Sequence, residues 1–149
     1  MGRRSEEDRV TFISTTVQKT YEWLDEIADE IGVGRSDAYH ILRSSLHVLR
    51  DRLIVDEVAQ LAAQLPILVR GIYYEAWDPS RNPQKFDATD YVERFVQGAQ
   101  LDSGLEPIPT LRTAMNVLRR HVTSGEMDDV LSSLPADIRR LLVPSGQAV

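Results

Sequence analysis

The chain has 149 residues, 42% hydrophobic and 27% charged, with a formal net charge of -6 and no cysteine. That length fits one compact domain or two small repeated halves. The missing cysteines exclude disulfides, thiolate metal sites, iron–sulfur clusters and cysteine nucleophiles. The acidic balance disfavours broad binding to a phosphate backbone. The charged start MGRRSEEDR has no apolar run of the kind a secretory signal needs. The most apolar neighbourhood, Leu65 to Tyr74, is interrupted by Arg70 and Gly71, so no membrane span is expected. These features place the chain in the cytosol.

Residues 1–10 lack periodicity and read as a mobile tail. A first helix is expected from Ser14 to Ile31, with Val17, Tyr21, Leu24, Ile27, Ala28 and Ile31 on its buried stripe. Gly32 and Gly34 end it. Ser36 is the expected N-cap of a second helix that buries Ala38, Ile41, Leu42, Leu46, Leu49 and Leu53. Asp56 caps a third, and Pro66 sits in the first turn of a short fourth helix reaching Tyr73. Trp77 to Asp87 is polar and proline-rich, which reads as a linker or an ordered surface loop. Thr89 starts the next helix, Pro107 and Pro109 bracket the one after it, and Thr123 with Glu126 fits a capping box. Pro135 opens the last short helix, and residues 144–149 fray. No segment alternates with period two, so the expected fold is all-α.

Leu42–Tyr73 aligns without a gap on Leu111–Leu142, at a constant spacing of 69 residues, with nine identical pairs in 32. Identities include Arg43/Arg112, Arg50/Arg119, Glu57/Glu126, Pro66/Pro135 and Arg70/Arg139. The preceding helix aligns at a spacing of 68, matching Trp23 with Tyr91 and Ile27 with Phe95. Caps, prolines and apolar phase repeat together. The expected architecture is therefore a single helical domain over 11–143, a bundle of two pseudo-equivalent repeats of about four helices each. Repeat one spans 14–76, the loop 77–87, and repeat two 88–143. The repeated arginines fit helix ends, where carbonyls are free and long stems cover apolar surface. A pairing of Arg50 or Arg119 with Glu57 or Glu126 inside its own unit would explain why both types recur.

The segment Ala38 to Ser80 carries Arg50-Asp51-Arg52-Leu53, Asp56-Glu57, Gln64-Leu65-Pro66 and an aromatic run from Arg70 through Trp77. With the closing segment LRRHVTSGEMDDVLSSLPADIRRLL, it resembles the bacterial domain-of-unknown-function family 2267. The resemblance covers about Thr11 to Val143. It implies a small soluble helical protein without an established activity, and it carries over no catalytic residues.

No catalytic or metal-binding constellation emerges from the residues, and no cofactor is implied. His40 and His47 stand seven residues apart, too far for one metal, and His121 is unrepeated. There is no nucleophile elbow, and the only close glycine pair lies between two helices. Asp25, Glu26, Asp29 and Glu30 read as a solvated helix face. The most unusual chemistry is the aromatic bridge, and Arg70, Tyr73, Tyr74, Trp77 and Tyr91 are the candidate contacts for a partner or ligand. The alternative role for these aromatics is to pack the two halves together. Ile27 to Leu46 has a helix-turn-helix outline with Arg35, Asp37, His40 and Arg43 exposed. The first 104 residues nevertheless carry 12 basic against 18 acidic side chains, which opposes duplex DNA. The reading is a non-enzymatic binding or adaptor module that contacts a protein partner or a second copy. The second copy would dock through the Thr89–Leu101 helix, if its apolar stripe is left uncovered. A DNA-binding regulator, or a small-molecule or enzymatic site between the halves, is the alternative.

Overall fold

Glycine and proline end and begin helices close to where the sequence places them. The computed structural model describes residues 10–144, so residues 1–9 and 145–149 of the expected tails lie outside the described residues. The described residues form eight α-helices and one short 3-10 turn, with no strand. In chain order these are α1 (Thr11–Ile31), α2 (Arg35–Arg52), α3 (Val55–Ala62), α4 (Ile67–Tyr74), the turn Pro79–Arg81, α5 (Ala88–Ala99), α6 (Pro107–His121), α7 (Ser124–Ser132) and α8 (Ala136–Leu142).

Gly32 ends α1 in the left-handed region at φ 84, and its amide and that of Val33 both return to the Ala28 carbonyl. A side chain at this φ would be strained. Several starts differ from the sequence reading by one to three residues. α2 is preceded by extended Gly34, and Ser36 sits in its first turn without capping. Ile54, not Asp56, precedes α3, which leaves Asp56 and Glu57 in the first turn where carboxylates favour the positive helix end. Pro66 and Pro135 occupy the cap positions of α4 and α8, not their first turns. Asp87 caps α5 by accepting from the Asp90 amide. Thr123 accepts from the Glu126 amide at 3.3 Å, but the reciprocal half of the capping box is not made by Glu126. The Thr123 amide donates instead to Gln64 Oε1 at 2.9 Å, and Gln64 Nε2 donates to Thr123 Oγ1 at 3.1 Å.

α2 is the hub, packing against α1, α4, α5 and α6. Its crossing with α5 is close. Ser44 Oγ donates to the Phe95 carbonyl at 2.8 Å, and a Cβ at Gly98 would overlap Ser44 Oγ. The core holds Trp23, Ile27, Leu42, Leu49, Phe95 and Leu118, each 2% exposed or less. The Trp77–Asp87 stretch is an ordered loop clamped to the end of α2. Asn82 Nδ2 donates to the carbonyls of Arg50 and Leu53, and the Gln84 amide to that of Asp51. Residues 69 apart take similar conformations at the turns. Ile54 and Thr123 lie at φ/ψ of -67/154 and -61/150, and Pro66 and Pro135 at -54/149 and -58/153.

Candidate contact surface

The sequence singles out five contact residues, and the structure distributes them between core and surface. Tyr73 and Tyr91 are 0% exposed. Tyr73 donates its hydroxyl to the Val58 carbonyl at 3.0 Å, and burial pushes both phenols far above their usual range. Neither can meet a partner on the outside of the fold. Arg70 lies across the end of α3, donating to the carbonyls of Ala62 at 2.8 Å and Leu65 at 3.1 Å. Only Tyr74 and Trp77, half-buried and stacked with ring centroids 5.4 Å apart, keep a share of the surface from the aromatic set. Trp77 also donates to Asn82, which ties it to the clamped loop. Trp23 and Phe95 are in the core, and Trp23 also forms the floor of a small groove beside Gln64, Pro66 and His121.

The arginines behave as helix-end caps. Arg139 makes the like bonds at the end of α7, donating to the carbonyls of Leu131 at 3.1 Å and Leu134 at 3.0 Å. Arg50 donates to the carbonyls of Tyr73 and Glu75 and to Asp51. The expected pairing of Arg50 or Arg119 with Glu57 or Glu126 is not made. The two glutamates face each other instead, Glu57 from α3 and Glu126 from α7, each 8% exposed. Desolvation, then the hydrogen bond and charge of Glu57, push the Glu126 carboxyl up to about 7. Neither carboxyl makes a salt bridge among the described residues, and each keeps one oxygen, Oε2, without a partner.

The acidic face of α1 is ion-paired as well as solvated. Arg35 grips Asp25 with two bonds of 2.7 and 3.0 Å and lies over the Tyr21 ring. Arg120 bonds Glu26 and Glu30, and His121 Nε2 donates to Glu26 at 2.6 Å while its ring stacks on Trp23. His47 donates to the Ile72 carbonyl at 2.6 Å, and burial holds its imidazole below the usual value. No three potential ligand residues gather into a metal site among the described residues. Of the four side chains proposed to read bases, Arg35 and Arg43 are bound to Asp25 and Glu75.

The main apolar surface lies where the sequence reading places core. Val17 and Tyr21 are expected on the buried stripe of α1, yet they are 37% and 46% exposed. The residues that α1 buries are Thr20, Trp23, Leu24, Ile27 and Ala28. A helix with two apolar stripes can bury only one against a single core, and the wider stripe, with Trp23, won. The other stripe, Val10, Ile13, Val17 and Tyr21, stays outside. Beside it, Phe12 at 58% and Ile67 at 55% line a groove of about 500 Å³ with Thr15, Thr16, Leu65 and Pro66. Thr16 Oγ1 accepts from the Leu68 amide, which fixes the start of α4 against α1. The sequence signal was present, since Phe12, Ile13 and Val17 are too many apolar residues for one face shared with Trp23, Leu24 and Ile27. The α5 stripe proposed as a dimer face is already covered, with Tyr91, Phe95 and Ala99 buried.

With this geometry fixed, the chain can be compared with known proteins. The family model described as "Uncharacterized conserved protein (DUF2267)" matches residues 20–141. The chain belongs to the DUF2267 family. A comparison with curated proteins finds no match. The DUF2267 match begins at Thr20, where the buried stripe of α1 begins. The exposed Phe12, Ile13 and Val17 lie ahead of the matched region, and the acid pair and the capping arginines lie inside it.

Proposed function

We propose that this DUF2267 chain is a non-enzymatic binding module whose contact surface is the N-terminal half of α1 together with the start of α4. The observation that carries the reading is the exposure of Phe12 and Ile67 on one groove, with the exposed Ile13, Val17 and Tyr21 on a neighbouring hollow of α1 that Glu22, Asp25 and Arg35 also line. Large contiguous apolar patches on a folded domain mark sites that another surface covers. The partner this surface suits is a protein face of low charge, because the groove lining holds a single charged residue, Lys19. The reading is further supported by the chemistry of the polar groups. His47, His121, Arg35, Arg43, Arg50, Arg70, Arg120 and Arg139 are bound to carbonyls or carboxylates, and the buried glutamates face each other. The binding of Arg35 and Arg43 to carboxylates also weighs against the DNA-binding alternative.

A photo-reactive residue placed at position 13 or 67 tests the proposal in cells. The expected result is protein adducts from both positions and none from position 93, on an exposed turn of α5. Equal adduct yields at all three positions, or none at any, would end it. No described helix is long and apolar enough to cross a membrane, and we place the module in the cytosol. We also infer that the two halves descend from one duplicated unit. The like turns 69 residues apart and the matched capping by Arg70 and Arg139 support this.

A further inference from the structure

We infer that the seam between α3 and α7 is a proton-operated latch: it stays closed while Glu126 carries a proton, and it opens locally, with the rest of the bundle folded, when that proton leaves. These helices are short, eight and nine residues, and each buries four side chains. From α3 they are Glu57, Val58, Leu61 and Ala62, and from α7 Glu126, Met127, Val130 and Leu131. One buried position in four on each side is therefore a glutamate, and each glutamate is the third residue of its helix.

A carboxylate out of water needs a countercharge or a full set of donors. The neighbourhood of Glu126 offers neither. α3 brings Glu57 and the exposed Asp56, α7 itself the exposed Asp128 and Asp129, and α4 the Tyr73 phenol, which donates to the Val58 carbonyl. The guanidiniums of Arg50, Arg70 and Arg139 are committed to carbonyls at helix ends, and Arg50 also to Asp51. What joins the two acids is a hydrogen bond from protonated Glu126 to Glu57. Loss of that proton removes the bond and sets two like charges together, beside Oε2 atoms that already lack partners. The strain is relieved by water, and letting water in requires parting only these two short helices. α2 and α5 stay held by the crossing at Ser44 and Gly98. The latch also adjoins the contact groove. Gln64 is bound to Thr123, just before α7, and the next three residues, Leu65, Pro66 and Ile67, line the groove, so the seam and one groove wall share a turn.

In the closed seam the Glu126 carboxyl is pushed up to about 7, and in the hydrated, open seam it returns to the ordinary 4.5. The closed form keeps the proton between those values, so opening increases as pH rises from 4.5 through 7 and then levels off. Native-state hydrogen exchange of the full chain in low urea, corrected for the intrinsic rate at each pH, reads the latch. Amides of 58–62 and 127–132 are expected to open about 50-fold more at about pH 7.5 than at about pH 5. Their exchange should be faster than that of α2 and α5, and less dependent on urea, because it exposes less surface than global unfolding. Glu126→Gln, whose amide donates to Glu57 at every pH, is expected to remove the pH dependence. The carbon-13 carboxyl signal of Glu126 is expected to titrate near 7 in the wild-type chain and lower in Glu57→Gln. Seam exchange that ignores pH overturns the inference. Seam amides that exchange only in step with α2 and α5, at the same rate and urea dependence, also overturn it, because the acids then act on the whole fold. A Glu126 carboxyl titrating in the ordinary range does so as well, and that signal needs no variant to fold.

Discussion

Two stretches 69 residues apart, 54–73 and 123–142, turn alike at their prolines and differ in what they show to water. Arg70 and Arg139 close the ends of α3 and α7 with matching bonds, and Pro66 and Pro135 start α4 and α8 alike. Directly after those prolines the halves part. The first half has Ile67 and Leu68, 55% and 40% exposed. The second has Ala136 and Asp137 in their place, and Asp137 accepts from the Ala88 amide at the start of α5. The partner helices differ in the same sense, since α1 runs on past the point where α5 starts. Each corner is tied by one polar bond, Leu68 to Thr16 in the first and Ala88 to Asp137 in the second, but only the first leaves large apolar side chains exposed beside it. A shared frame is what folding requires. The difference at one corner is what a function specific to that corner would require.

The sharpest way to break this comparison is to set the core against the open corner. Phe95→Ala, at a fully buried site, is expected to cost about 3–5 kcal/mol in urea unfolding, whereas Phe12→Ala should stay within about 0.5 kcal/mol in the dilute monomer. A comparable loss from Phe12→Ala would mean that the corner belongs to the core.

A smaller effect is expected from the seam between the halves. The Glu126 carboxyl titrates near 7 when folded, against an ordinary 4.5 when unfolded. The folded state therefore binds the extra proton between those values, and stability falls as pH rises from 4.5 through 7. The loss is expected to be about 3 kcal/mol by pH 8. Glu126→Gln should flatten the profile, because the amide donates to Glu57 at every pH. Urea midpoints measured from acid to mildly alkaline pH check this, and a wild-type profile flat across that window would contradict it.

The smallest effect tests the shared frame itself. Arg70→Met removes bonds to the carbonyls of Ala62, Leu65 and, at 3.5 Å, Ala63, and Arg139→Met removes those to Leu131 and Leu134, so each is expected to cost about 1 kcal/mol. The two losses should agree within about 0.5 kcal/mol. Thermal melts of both variants measure it, and a clear imbalance would show that the matched bonds carry unequal weight.

The helices, the Gly32 stop and the proline starts were legible because they depend on local backbone chemistry. The phase of α1 was not, because Val17 and Tyr21 lie on a stripe as regular as that of Trp23 and Ile27. Only packing against α2 and α6 chooses between them. The capping box failed for a related reason. Thr123 and Glu126 fit the local pattern, but Gln64 from the other half reaches the Thr123 amide and Glu126 turns inward to Glu57. The aromatic run was conspicuous as chemistry, yet residue type alone does not tell a buried phenol from an exposed one. Tyr73 and Tyr91 are interior because α4 and α5 turn those positions toward α2. The open corner was missed because its residues look like core until the helix is known to extend beyond the core.

The Ser44–Gly98 crossing limits how the assembled molecule can move. The hydroxyl of one helix is anchored to the carbonyl of the other, and the missing Cβ brings the two axes close. Translation of α5 along α2 would drive Ser44 into the side chains on either side of the glycine notch. Sliding α5 along α2 would therefore break the bond from Ser44 to the Phe95 carbonyl, so the notch at Gly98 fixes the register of the two helices.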